Sequence, residues 1–226
     1  MIRLLIIAIT LLSVYTGNSQ DYFRIKTDFM IKGKASSGEQ QLTVGKIYYD
    51  KNIKKIVFDI SFPEKEIWIQ KDTNLYKIVN GLVTDKQKTP SIVDFTIYNL
   101  ALNGSLSDFG LKKTNFKIID IEKEGNSIYT TWEPPKELKE LYGNVIIQNT
   151  DQKLTGIIFK NKDDIVVGRQ FFKKYINIKG LAFPTEIIRE TTINDKKIYE
   201  ITTFSNIVVN EFTSDDKYDF KIPRHK

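Results

Sequence analysis

Between Gly45 and Gly81 apolar and polar positions alternate. In Lys55-Ile56-Val57-Phe58-Asp59-Ile60-Ser61-Phe62, the residues Ile56, Phe58, Ile60 and Phe62 recur at every second position. That is the period of a β-strand, whose side chains point alternately to the two faces of a sheet; a helix needs apolar returns at three and four. The other face of the segment is mixed (Lys55, Val57, Asp59, Ser61), so one side is expected to meet apolar groups and the other water. Pro63 has no N–H for a ladder and ends the strand. Strands are also predicted over Asp21–Ala35, Gln41–Tyr49, Glu66–Gln70 and Leu75–Val79, separated by the polar turns Ser36-Ser37-Gly38, Asp50-Lys51-Asn52 and Lys71-Asp72-Thr73-Asn74. Short strands with regularly spaced turn signals describe an up-and-down meander.

The period then changes. Thr89 suits a helix N-cap and Pro90 the first helical position, and Ile92, Val93, Phe95, Ile97, Tyr98, Leu100, Ala101 and Leu102 follow before Asn103-Gly104 closes the segment. A helix apolar nearly all round must be covered on several sides. A further helical turn is expected at Ser107–Leu111. Strand patterns resume at Phe116–Glu122 and Ser127–Trp132, a hairpin ended by Pro134-Pro135. Lys136–Tyr142 reads as a short helix. Asn144–Gln148, Leu154–Lys160, Ile165–Ile178, Thr185–Ile193 and Lys197–Val209 are further strands, and Tyr218–Pro223 is a short closing segment. No linker, repeat or composition shift divides them. The expected fold is mainly β: a single antiparallel sheet of about 11 strands, too many to stay flat, curled into an unclosed half-barrel. The apolar helix Ile92–Leu102 then acts as a short lid in the concavity.

The N-terminus places this domain. Met1-Ile2-Arg3, the apolar run Leu4–Leu12 and the small or polar Gly17-Asn18-Ser19 have the layout of a secretory signal peptide over residues 1–19, cleaved near Ser19-Gln20. The run is shorter than the about 20 residues of a membrane span, against the alternative of an uncleaved anchor. Residues 20–226 are then one exported domain, expected in the periplasm. The absence of Cys excludes disulfides, thiol chemistry and lipidation on cysteine. The chain carries 34 Lys+Arg against 28 Asp+Glu, a formal charge of +6. The lysines are scattered through turns and form no basic stripe, so nucleic acid is not an expected partner.

Catalytic chemistry is poorly provided for. The one histidine, His225, stands next to the C-terminus, which removes Ser-His-Asp and Cys-His arrangements and histidine zinc sites. Asp108-Phe109-Gly110 has the letters of a kinase metal motif without its glycine-rich or catalytic loops. The close carboxylate pairs, Glu64 with Glu66, Asp163 with Asp164 and Asp215 with Asp216, fall in lysine-containing turns, where solvated surface is the ordinary state. No enzyme activity, cofactor or metal is expected. Trp68 and Trp132 lie in strands and either pack in a core or line an apolar cavity; both roles need an inward-facing aromatic.

One family has this order of features. G-x-I-x-Y (Gly45 to Tyr49), an alternating strand ending at Pro63, a strand with Trp68, D-x-N-L-Y (Asp72 to Tyr76), an apolar helix and N-x-K-G-L-A-F-P-T-E-I (Asn177 to Ile187) follow a signal peptide. The chain resembles the LolA-like outer-membrane lipoprotein carriers and the related LppX-type folds, over nearly all of the exported part. The resemblance implies an unclosed barrel with a helical lid, holding acyl chains of lipids or lipoproteins without a cofactor. It also implies an inner-membrane exporter and an outer-membrane acceptor as partners. The family usually has a helix before its first strand and an Arg-Pro pair after the second. Here Asp21–Ala35 reads as strand and Asp50-Lys51 stands at the second place, so the arginine latch of the lid is not carried over. The residues expected to line the acyl site are Phe58, Ile60, Phe62, Trp68, Ile92, Phe95, Leu100, Phe116, Ile118 and Trp132. The alternative is a cell-envelope interaction or sensor module with the same fold, a filled core and an exposed apolar patch or open sheet edge.

Overall fold

The computed structural model describes residues 21–35, 37–89, 92–193 and 196–223. The expected signal peptide, Pro90 and His225 lie outside the described residues, as does the side chain of Ile92. The strands are β1 (Arg24–Lys34), β2 (Gln40–Asp50), β3 (Lys55–Phe62), β4 (Glu66–Lys71), β5 (Asn74–Val79), β6 (Leu82–Lys88), β7 (Lys117–Glu124), β8 (Ser127–Glu133), β9 (Val145–Thr150), β10 (Lys153–Lys160), β11 (Val166–Ile178), β12 (Leu181–Ile193) and β13 (Lys196–Val209). They form one 13-stranded antiparallel sheet in the order β6-β5-β4-β3-β2-β1-β13-β12-β11-β10-β9-β8-β7. The chain starts in the middle of the sheet, steps out to β6, crosses to β7 at the opposite end and steps back until β13 pairs with β1. β6 and β7 do not pair, so the curled sheet stays open.

The sheet has more strands than the expected 11 or so, and β6 is the strand the pattern did not reveal. Its sequence, LVTDKQK, has little alternation and is mostly exposed. It is held by its ladder to β5, which Thr89 continues by donating its N–H to the Thr73 carbonyl at 2.8 Å. Thr89 is therefore not the helix cap. The chain makes a 3-10 turn at Ile92–Phe95, and α1 spans only Ile97–Leu102. Its cap is Thr96, whose hydroxyl accepts the Asn99 N–H at 3.3 Å. The expected helix at Lys136–Tyr142 is reduced to a 3-10 turn at Lys136–Leu138. Among the described residues no helix is long and apolar enough to cross a membrane.

The concave face carries the main core. Phe29, Ile47, Tyr49, Ile56 and Ile60 from one half of the sheet share it with Ile147, Leu154, Ile157, Phe172, Phe183 and Phe204 from the other. α1 lies in this concavity, with Ile97, Tyr98, Ala101 and Leu102 inside the core. In β2 the glycine of G-x-I-x-Y has a clear steric reason. A Cβ on Gly45 would stand 2.4 Å from the Asp59 carbonyl oxygen and 2.9 Å from the Phe29 ring, where the β2–β3 register shifts.

Ser61 is exposed and Asp59 half-buried, but the first half of the convex face of β3 does not meet water as its mixed composition suggests: Lys55 is 4% and Val57 2% exposed. The C-terminal segment covers it. Tyr218, at the end of the short helix α2 (Asp215–Tyr218), is buried with Tyr48, Val57, Ile69 and Ile78, and Phe220 and Ile222 pack beside them. Ionic contacts hold this strap. Lys26 Nζ reaches Glu211 at 2.8 Å, Arg24 pairs with Asp50 at 2.6 Å and also with Asp215, and Lys55 pairs with Asp219. Hydrogen bonds from Lys221 and then Lys55 pull the Asp219 carboxyl down to about 2 from an ordinary 3.8. A carboxylate whose folded-state pKa is depressed contributes stability above its unfolded pKa and loses it as pH falls through the folded one. The strap is therefore expected to hold at pH 5 and to loosen between about pH 4 and 2. Protease cleavage after residue 210, followed with acid-active pepsin down the pH scale, checks this; a rate flat to pH 2 in wild type and in Asp219→Asn alike would refute it.

Candidate functional site

On the concave face of β1–β4, away from α1, the sheet leaves a hollow of about 520 Å³. Alternation builds its floor. Odd-numbered residues of β1 and even-numbered residues of β3 face inward, which brings Phe29 and Ile31 beside Phe58 and Ile60; the Phe29 and Phe58 rings meet edge to face at 6.1 Å. Register carries the same face across to β4, where Trp68 stands opposite Phe58. Gly33, Gln41, Thr43 and Pro63 complete the wall.

The mouth is polar. Trp68 Nε1 donates to Glu66 Oε2 at 2.7 Å, Lys77 Nζ lies 2.7 Å from Glu66, and the same ammonium sits 5.8 Å from the Trp68 ring centroid. The hydrogen bond from Lys77 is the main reason that the Glu66 carboxyl titrates below its ordinary range. Glu200 also lines the mouth and pairs with Arg189 at 3.3 Å. An apolar floor under a charged rim, with each charge answered by another, suits an amphiphile lying with its chain inward.

The other end of the concavity is filled. The Tyr98 ring lies 6.3 Å from Phe183, 5.9 Å from Phe204 and 6.4 Å from Tyr49. The Tyr49 hydroxyl and Asn99 Oδ1 are 2.5 Å apart, which ties α1 to β2. Burial pushes the Tyr98 hydroxyl far above its ordinary pKa, so it stays neutral at every physiological pH. Phe109, from the sequence Asp108-Phe109-Gly110, packs against Phe95, Phe159 and Phe172 and so belongs to this plug.

Of the residues singled out from sequence, the hollow brings together Phe58, Ile60 and Trp68. Phe62, at the end of β3, is 47% exposed. Leu100 and Phe95 border a separate cavity of about 470 Å³ with Lys51, Lys54, Lys113, Asn99 and Asn103. Phe116 packs against the main core and borders a surface cleft with Pro134 and Lys136. Ile118 is exposed on β7, whereas Trp132 is buried in the core and donates to Thr130 Oγ1 at 2.9 Å. Phe29, Ile31, Gly33, Thr43 and Lys77 were not singled out. Phe29 and Ile31 fall in the predicted strand Asp21–Ala35, but nothing local says that β1 borders the hollow. Among the described residues no group of three His, Cys, Asp or Glu side chains could hold a metal ion. The shifted carboxylates, Asp28, Glu66, Glu190, Glu211 and Asp219, are all moved down beside cations, the opposite of a poised general acid.

No protein-family model matches this chain, and no curated protein sequence does. Solved structures match its fold. A LolA superfamily protein from Nitrosomonas europaea is similar over 88% of this chain and 90% of its own, with TM-score 0.59 and 14% identity. A domain named for outer membrane lipoprotein sorting, from Vibrio parahaemolyticus, gives 0.61 at 9% identity with the same coverage. A DUF1329 family protein from Desulfovibrio piger gives 0.60 at 13% identity over 94% of both chains. At these identities the likeness is one of fold: the chain has the LolA-like fold, an open antiparallel half-barrel around a short helix.

Proposed function

We propose that this LolA-like chain is an exported carrier that shields acyl chains of a lipid or lipoprotein in the concave hollow, and that it works in the periplasm between an inner-membrane source and an outer-membrane acceptor. The observation that carries the reading is the hollow itself, where Ile31, Phe58 and Trp68 keep part of their apolar surface uncovered above the buried Phe29 and Ile60. A core formed only for stability would close over such residues. Burying a methylene is worth about 0.8 kcal/mol, so a tail of roughly 14 methylenes costs on the order of 11 kcal/mol to keep in water. A molecule with such a tail crosses an aqueous compartment only inside an apolar sleeve.

Trp68 reports on the site directly. It is 37% exposed at the mouth, while Trp132 is 4% exposed and distant in the sheet order. Adding a long-chain fatty acid is expected to shift tryptophan emission to the blue, and Trp68→Phe to abolish the shift while Trp132→Phe retains it. Organic extract of the protein purified from a bacterial host with its leader intact is expected to contain an acyl species in stoichiometric amount.

A second reading, an envelope interaction module, has one observation in its favour. All eight residues of β7 are exposed, including Ile118, Ile119 and Ile121, at an open sheet edge. Absence of both the extracted acyl species and the emission shift would favour it over the carrier.

A further inference from the structure

We infer that the protein docks directly on a lipid bilayer through the turns around the mouth of the hollow, with Leu141, Tyr142 and Ile165 seated in the interface. This rests on the carrier reading above for the cargo and deepens it by naming the surface where cargo enters or leaves. The contact itself stands on the topology and on which turns are apolar.

Every neighbouring pair in the sheet is antiparallel, so the turns alternate between its two ends. Lys34 at the end of β1 stands opposite Tyr199 near the start of β13. The β1–β2, β3–β4, β5–β6, β8–β9, β10–β11 and β12–β13 links therefore share one end. The hollow opens there: Gly33 and Gln41 adjoin the first of these turns, Pro63 and Glu66 the second, and Glu200 lies near the start of β13. The helix α1 faces the other end, where Lys51, Gln152 and Gly180, from three turns of that end, line a cavity with Ala101 and Leu102.

The two ends differ in what they show to water. Among the described residues, the turns at the hollow end and the strand residues flanking them expose six large apolar side chains: Phe62, Leu82, Leu141, Tyr142, Ile165 and Ile193. The inter-strand turns at the helix end, taken the same way, expose one, Ile53. Phe95 and Phe212, outside those turns, are also exposed but rest on the rings of Phe109 and Phe23.

Three of the six are held on a fixed platform. The Gly143 N–H donates to the Lys160 carbonyl at 3.0 Å, and the Lys160 N–H to the Asn144 carbonyl at 3.1 Å. The Asn161 N–H donates to the Ile165 carbonyl at 2.8 Å, and the Ile165 N–H to Asn161 Oδ1 at 2.9 Å. A Cβ on Gly143 would fall 1.9 Å from the Asn161 carbonyl oxygen, so glycine is what lets the two links press together. Leu141, Tyr142 and Ile165 nevertheless stay 69%, 55% and 60% exposed. Large apolar side chains fixed in water mark a surface that something else covers.

The bilayer fits this surface better than a protein does. The six side chains stand on five separate turns of both arms of the sheet. From β6 to β9 there are about ten strand spacings, on the order of 50 Å along the curl. A protein would need a pocket for each tip, whereas a fluid interface accepts apolar tips at any spacing. Tyrosine and lysine, with apolar stems and polar ends, suit the depth of the head groups. The charges of the platform answer one another: Lys139 pairs with Glu133, Lys160 with Asp164 at 2.8 Å and Lys162 with Glu140 at 3.5 Å. The attraction is therefore apolar and does not need anionic lipid.

The absence of Cys makes a position-specific probe simple. Leu141→Cys and Ile53→Cys, each labelled with nitrobenzoxadiazole, report on the two ends. The membrane is a vesicle of phosphatidylcholine and phosphatidylethanolamine, with co-flotation as the binding assay. The label at position 141 is expected to brighten and shift to the blue on adding vesicles, and the label at position 53 to stay unchanged. Flotation is expected to persist from about 0.15 to about 1 M salt. The triple variant Leu141→Ser, Tyr142→Ser and Ile165→Ser is expected to keep its Tm, because all three side chains are exposed, and to lose at least about tenfold in vesicle partitioning. Equal response of the two labels, loss of flotation in high salt, or a triple variant that floats like wild type would each overturn docking through the apolar turns. Failure to float while fatty acid still shifts Trp68 emission would also overturn it, assign the rim to a protein partner and leave the carrier reading standing. Flotation with no response of Trp68 to any acyl species would instead remove the carrier reading and leave the membrane contact.

Discussion

Tyr98→Ala is expected to lower the free energy of unfolding by about 3–5 kcal/mol, the range found when a buried aromatic is cut back to a methyl group. Tyr98 joins distant parts of the fold. Its ring meets Tyr49 of β2, Phe183 of β12 and Phe204 of β13, which come from both arms of the sheet, and it stands on the segment that links β6 to β7. Alanine would leave a void bounded by three aromatic rings that cannot close up without moving strands. For a chain of this size each kcal/mol moves Tm by about 2–4 °C, so a fall of roughly 10 °C is expected in a thermal melt. Tyr98→Phe keeps the ring and is expected to cost less than about 1.5 kcal/mol. If alanine costs no more than phenylalanine, α1 is not the keystone of the concave core.

Tyr218→Ala has the second largest expected effect, on the opposite face. Tyr218 is fully buried, meets Tyr48 edge to face at 5.4 Å and carries the Arg24 guanidinium 4.7 Å from its ring centroid. It is the fully buried side chain of the strap, with Phe220 and Ile222 partly buried beside it in the convex core. Its removal is expected to cost about 3–4 kcal/mol, less than the same change inside the sheet if the strap detaches as a unit and the half-barrel survives. Local opening of this kind appears in proteolysis before it appears in global unfolding. Trypsin is expected to cut at Lys217 and Lys221 many times faster in the variant than in wild type, with the sheet intact by circular dichroism. Equal cleavage rates would show that the ionic contacts of Arg24, Lys26 and Lys55 hold the segment without the ring.

These two variants lie where sequence and structure part company. Tyr98 was visible as a member of an apolar run, and its burial followed from the run being apolar on every side. Its partners were not visible, because Phe183 and Phe204 lie more than eighty residues away and meet it only once β12 and β13 have closed on β1. Tyr218 could be read only as part of a short tail. That tail turns the mixed face of β3 into a second core and buries Lys55 against Asp219, a result that no periodicity in Lys55–Phe62 contains. β6 escaped detection for the converse reason. An edge strand held by backbone hydrogen bonds needs no apolar pattern, and LVTDKQK has little.

The candidate site divides in the same way. Phe58, Ile60 and Trp68 were picked out by alternation, and they do share one wall because the β3–β4 register sets Phe58 opposite Trp68. Trp132 has the same signature in sequence and is a core residue. An inward-facing aromatic looks identical along the chain whether or not another element covers it.

From the order of residues alone one could obtain the strand period, most of the turns, the single antiparallel sheet and the one apolar helical segment, since each depends on neighbours a few positions apart. The curl brought β1 against β13, sent the helix to one end of the concavity and left the other end hollow, and only the folded chain decided those outcomes. They depend on which faces meet across long separations. A hollow exists where no distant side chain arrives, and a local pattern holds no record of that.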